Sequence, residues 1–303
     1  MNAPAKEMSK PSIQPQGIAA AARAVYWSIQ RELWENRSIY LAPLAAAGVF
    51  LAGFLINMVS MRRSAAASAL APAQQLALLT TRYELSAALI MGTAVIVGIF
   101  YSLDTLYGER RDRSILFWKS LPVSDLVTVL SKLTIPFLIL PLLSLFISLT
   151  TQFFMLVLSS MVLPGSGVNI AGLWRGASFF EVSLVLLYHV LTVHGLWYAP
   201  LYGWLLLVSV RAPRAPFIWA FLPPFVICGV EKIAFNTTHF LGLLQYRLMG
   251  PAEAMAPSGG AKDFMATLIP EHFFSTPGLW TGLAVAAVFV FAAVRLRRYQ
   301  GPI

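Results

Sequence analysis

Two histidines, His189 and His194, are the residues of this 303-residue chain whose type most invites a chemical role. Five positions apart on a helix, they point about 140° away from each other, a poor arrangement for sharing one metal ion. Glu181 lies eight positions before His189 and does not complete a ligand set. The single cysteine, Cys228, sits in an apolar run, so neither an intrachain disulfide nor a thiolate metal cluster can form. No G-x-x-x-x-G-K-[ST] phosphate loop occurs, and SGGAKD at 258–263 has glycines and a lysine at the wrong spacing. The chain is therefore expected to hold no metal and no catalytic residues, and to hydrolyse no nucleotide itself. A rival reading makes His189 or His194 the base of a membrane-embedded enzyme. It lacks a second polar cluster at matching depth.

Polar residues recur at helical spacing in two long apolar stretches. Ser144, Ser148, Gln152 and Ser159 fall near one helix face, joined by Thr151. Tyr188, Thr192, Gly195, Tyr198 and Tyr202 step by three or four, with His189 and His194 nearby. Polar side chains at membrane depth face protein or water rather than lipid. Ser148, Gln152, Tyr188, His189, Thr192, Tyr198 and Tyr202 are accordingly candidates to line a substrate path. The competing reading is helix–helix contact through small and hydroxyl residues, and the sequence leaves both open.

The elements that must position these residues are membrane helices. The chain is 58% hydrophobic and 12% charged, and its mean hydropathy is +0.71. Soluble domains carry about 25% charged residues, so a soluble fold of this length would lack ionised surface. Spans of about 20 residues are expected near 39–59, 85–107, within 126–163, within 179–210, near 217–234 and near 276–294. Pro136 and Pro141 are expected to kink the third, and Ser124 or Asp125 to cap it. Residues 1–16 read as a disordered tail, not a signal peptide. Residues 17–37 read as an amphipathic helix, with Ile18, Ala22, Val25, Ile29 and Leu33 on one face. It is expected to be an interfacial helix lying in the membrane surface, because a span follows at once, with packing on a soluble partner as the alternative. The connector 235–275 is the longest, and its short amphipathic pieces at 240–249 and 262–269 suit re-entrant or interfacial helices. The fold class is all-α, a polytopic six-span bundle over residues 38–303.

Net charge is +9, and the basic residues cluster at the ends of apolar runs, which is a topology signal rather than a nucleic-acid footprint. In the six-span arrangement the 22 lysines and arginines split 15 to 7 in favour of the side holding both termini. That side is expected to be the cytoplasm.

The most charged stretch is GERRDRSILFWKSLPVSD at 108–125. It sets five ionised residues, Glu109 to Arg113, beside Ile115, Leu116, Phe117 and Trp118, and Pro122 ends the segment. An apolar patch exposed at such a turn suits docking on another protein. A basic juxtamembrane turn with Trp118 anchored in the interface is the plainer alternative.

This block resembles the cytoplasmic loop between spans two and three of the ABC type-2 permease family (type V exporter-like). The preceding amphipathic helix, the six spans and the enlarged connector between spans five and six are similar as well. The resemblance implies that 108–125 is a coupling loop seated in an ATP-binding subunit. Glu109, Arg110, Arg113, Ile115, Phe117, Trp118 and Pro122 then become docking candidates. It also implies two copies of that subunit, which would hold the ATP and Mg, and a second permease chain making a homo- or heterodimer. The expected location is the bacterial cytoplasmic (inner) membrane, the expected partners exclude nucleic acid, and the expected function is export. A non-transporting membrane anchor or sensor is the remaining alternative.

Overall fold

The computed structural model describes residues 18–63, 72–121, 123–162, 187–188, 190–249 and 273–303, with Pro164 and Trp174 as isolated positions. The expected tail at 1–16, Pro122, Glu181, His189 and the piece at 262–269 lie outside the described residues. What is described is helical, with no strand. We number the α-helices α1 (Ile18–Glu35), α2 (Ser38–Arg63), α3 (Pro72–Arg111), α4 (Ile115–Ser120), α5 (Asp125–Thr134), α6 (Leu140–Val162), α7 (Ala199–Arg211), α8 (Pro216–Phe235), α9 (His239–Met249) and α10 (Pro277–Tyr299).

Five stretches are long and apolar enough to cross a membrane: Ser38–Ser60, Thr81–Arg111, Asp125–Val162, Pro216–Phe235 and Pro277–Tyr299. The chain is a multi-pass membrane protein, and these stretches match the expected spans one, two, three, five and six. Of the stretch expected to hold span four, the described part is a π-helical run, Val190–Trp197, followed by α7.

The unusual length of the third span has a local cause. Ser124 caps α5, its hydroxyl accepting the Val127 amide at 3.2 Å. A π-helical turn at Ile135–Ile139 then joins α5 to α6. Pro136 lies in that turn and has no amide hydrogen to give, so the widened turn absorbs the misfit without ending the helix.

α7 and α10 approach closely because small residues face each other. A Cβ built on Gly203 would lie 3.3 Å from the Phe289 Cβ and 3.4 Å from the Ala286 carbonyl oxygen. Close backbone approach of this kind is how membrane helices gain packing without a hydrophobic driving force. Gly203→Val is expected to force the pair apart and cost about 1–3 kcal/mol. Thermal melting in detergent checks this, and a variant melting with the wild type would refute the close approach.

At the end opposite the charged loop, α9 follows α8 through a tight turn. Asn236 takes a left-handed conformation, and Glu231 accepts the amides of His239 and Phe240 at 2.7 and 2.9 Å. That capping starts α9 at His239, one residue before the short amphipathic piece expected at 240–249. Arg247 of α9 lies over the Trp197 ring at 4.4 Å and donates to the carbonyls of Trp197 and Gly278. The Trp197 indole donates back to the Arg247 carbonyl at 3.0 Å.

Candidate functional site

Charged side chains from four helices converge, buried, at the end of the bundle where α3 meets α4. Lys132 of α5 stands at the centre, 2% exposed. Its ammonium lies 2.7 Å from Glu32 of α1 and 3.1 Å from Glu109 of α3, and it donates to the Thr105 hydroxyl at 2.8 Å. Glu109 pairs with Arg297 of α10 at 2.7 Å, and Arg297 reaches Asp125 at the start of α5, also at 2.7 Å. Arg31 completes the group, 2.6 Å from Glu32. The Tyr101 hydroxyl donates to Glu32 at 2.8 Å.

The four buried members, Glu32 and Glu109 against Lys132 and Arg297, form a neutral hub withdrawn from water, with the partly exposed Arg31 and Asp125 at its edge and Glu35 reaching Arg31 from outside at 3.7 Å. Buried charges persist only when paired and hydrogen-bonded in this way. Burial pushes the Glu32 carboxyl up, but the Lys132 ammonium and the Arg31 guanidinium outweigh it and hold the group at about 2 instead of 4.5. The folded value lies below the unfolded one. Glu32 therefore contributes stability above pH 4.5 that is lost as pH falls toward 2. The melting gap between wild type and Glu32→Gln is expected to be constant near neutrality and to close across that window. A gap independent of pH would show that Glu32 is not held ionised by its neighbours.

The expected docking segment folds against this cluster, and its residues divide. Glu109, Arg110 and Ile115 turn inward, at 8%, 7% and 2% exposure. The Arg110 guanidinium donates to the carbonyls of Val210 and Ala212 at the end of α7. Trp118 is half-buried, with the Arg31 guanidinium 3.7 Å from its ring centre and Phe117 edge-on to it. Leu116 and Phe117 point outward, at 60% and 59% exposure. Arg113 is exposed and left-handed, φ 58°, turning the chain from α3 into α4. The C-terminal residues brace the segment: Lys119 donates to the Gln300 carbonyl at 2.6 Å, and the Ile303 amide to Arg110 at 3.2 Å. Asp104 pairs with Arg111 at 3.7 Å, and both are exposed.

The substrate-path candidates are scattered by comparison. On α6, Ser144, Ser148, Thr151, Gln152 and Ser159 are all buried. Ser144, Thr151 and Ser159 bond to carbonyls of their own helix, and Gln152 donates to the Tyr83 carbonyl of α3 at 3.3 Å. Thr192 bonds to the Tyr188 carbonyl at 2.7 Å. Tyr198 donates to the Leu248 carbonyl of α9 at 2.9 Å, and its ring meets His194 edge-on. Tyr202 is buried with Leu103, Leu205 and Val208. No group of three or more His, Cys, Asp or Glu suited to a metal ion occurs among the described residues.

Sequence reasoning missed the hub. Glu32 and Lys132 each carried a signal. Glu32 falls three residues after Ile29 and beside Leu33, on the apolar face of α1, and those two residues pack on Ile39, Tyr101 and Ile135. Lys132 is a lone ammonium inside an apolar span, which needs a partner by default.

The chain matches no protein-family model, no curated protein and no solved structure.

Proposed function

We propose that this chain is the membrane-spanning permease subunit of an ABC exporter in a bacterial cytoplasmic membrane. Both termini and the charged end face the cytoplasm, and residues within 179–210 supply a sixth crossing. Two permease chains, identical or related, form the path, and two ATP-binding subunits dock beneath them. ATP and Mg belong to those subunits. The helices around Ser148, Gln152, Tyr188, His189, Thr192, Tyr198 and Tyr202 rearrange to pass cargo.

One observation carries the reading. A six-residue helix presents Leu116 and Phe117 outward while the residues before and behind it are anchored to α1, α5, α7 and α10. Two large apolar side chains on a charged end suit a protein partner better than water. Because Glu109 and Arg110 are gripped by other helices, a push on α4 reaches the bundle directly instead of flexing a loop.

Two measurements test this. Cysteines at Ser120 and Thr238 should label from opposite sides with an impermeant thiol reagent, the second from outside. Labelling of both from one side overturns the topology. Co-expression with an ABC ATP-binding subunit, taken from the neighbouring genes where one is encoded there, should yield a complex whose ATPase activity depends on both. Purification of the chain alone, with no effect on that ATPase, overturns the transporter reading.

A further inference from the structure

We propose that an apolar cleft at the charged end, between α7, α8 and α10, holds one acyl chain of an anionic phospholipid, with the phosphate on Arg211. The cleft has a volume of about 260 Å³ and is lined by Trp204, Leu207, Val208, Trp219 and Leu296, with Arg211 at the end of α7. Arg211 and Trp204 are seven residues apart, so the cleft runs about 10 Å along α7. Trp219 lies in the first turn of α8 and is 52% exposed, the kind of side chain that marks the headgroup level of a bilayer. α8 buries only Ala220 among its side chains, so the cleft opens on the lipid-facing flank of the bundle.

Charge says which lipid. Five charged side chains are buried among the described residues, and four of them belong to the neutral hub. The fifth, Arg110, has no carboxylate partner. It is held by the carbonyls of Val210 and Ala212, its Nε makes no hydrogen bond, and it lies close enough to Arg211 to repel it. Arg211 and Arg214 are exposed, and neither forms an ion pair among the described residues. Positive charge therefore accumulates at the mouth of an apolar slot, and no carboxylate among the described residues pairs with it. A phosphodiester with net negative charge fits both halves, whereas a zwitterionic headgroup brings its own cation to the same place. Each methylene buried adds about 0.8 kcal/mol to retention, so the chain and the phosphate act together.

The inference depends on the chain being a membrane protein and not on the transporter reading. The test is native mass spectrometry of the whole chain in neutral detergent, with phosphatidylglycerol or phosphatidylcholine of matched acyl chains. Phosphatidylglycerol should be retained about tenfold better, the loss expected for one charge-assisted hydrogen bond. Arg211→Gln should reduce its retention to the phosphatidylcholine level, and Arg211→Lys should keep most of it. Glycerol phosphate, which has the anion without the chains, should not compete. Three results would each overturn the proposal: equal retention of the two lipids, an Arg211→Gln variant that binds like wild type, or competition by glycerol phosphate. Arg211 is exposed, so the lipid-free melting temperature of Arg211→Gln should equal that of wild type and separate a binding defect from a folding one.

Discussion

Lys132→Met should destabilise the protein by about 3–5 kcal/mol, the cost of leaving a buried charge without its partner. The substitution removes the one ammonium that touches both Glu32 and Glu109. Arg31 and Arg297 remain, but each is already committed to a neighbour, Arg31 stacked on Trp118 and Arg297 bridging to Asp125. Methionine fills the space, so the loss measures charge and not a cavity. The double variant Glu32→Gln, Lys132→Met should be less destabilised than the sum of the two single changes, because it removes both members of the closest pair. Melting in detergent reads all three. If Lys132→Met melts with the wild type, the ammonium reaches water and the hub is not buried. A second readout follows from the geometry. α1 is held to the bundle by Ile29, Leu33 and this hub, so proteolysis between α1 and α2 should speed up in the variant before the spans themselves are lost.

The parts of the fold that were legible were those in which one segment's own pattern decides the outcome. Runs of apolar residues announce spans one, two, three, five and six, Ser124 announces a cap, and Arg111 lies about two helical turns from Asp104. The hub was not legible, because its members come from α1, α3, α5 and α10 and nothing in the local pattern around Glu32 names Lys132, a hundred residues away. The docking segment shows the same division. Its composition marks it as special. Which of its side chains turn inward depends on where the ends of α7 and α10 lie, and these fix Glu109 and Arg110 in the interior. The polar faces were legible as faces. Ser144, Thr151 and Ser159 of α6 bond to carbonyls of their own helix, whereas the buried Ser148 hydroxyl has no hydrogen-bond partner, so the face keeps both its helix-contact and its path reading.

Leu116→Ala with Phe117→Ala should weaken capture of the proposed ATP-binding subunit by about a thousandfold, the largest functional effect expected of any change in this chain. Truncating a buried apolar or aromatic anchor at an interface typically costs about 2 kcal/mol, roughly thirtyfold for each. These two side chains are the most exposed large apolar groups of α4, and neither contributes to the core. The double variant should therefore melt like the wild type while losing the complex and the ATPase activity that depends on it. Trp118→Ala should behave differently. Its ring supports Arg31, and Arg31 supports Glu32, so the change should lower the melting temperature as well as the affinity. Arg113, exposed at the rim, should when reversed to glutamate slow association and raise its salt sensitivity with little change in dissociation. The readouts are pull-down in detergent and ATPase activity in proteoliposomes, with melting as the control. If Leu116→Ala, Phe117→Ala leaves capture intact, the partner seats elsewhere. Intact capture with lost stimulation would instead make α4 the element that transmits motion from a subunit held by other contacts. The outcomes can be told apart because the hub behind Leu116 and Phe117 keeps the helix in place when they are cut back.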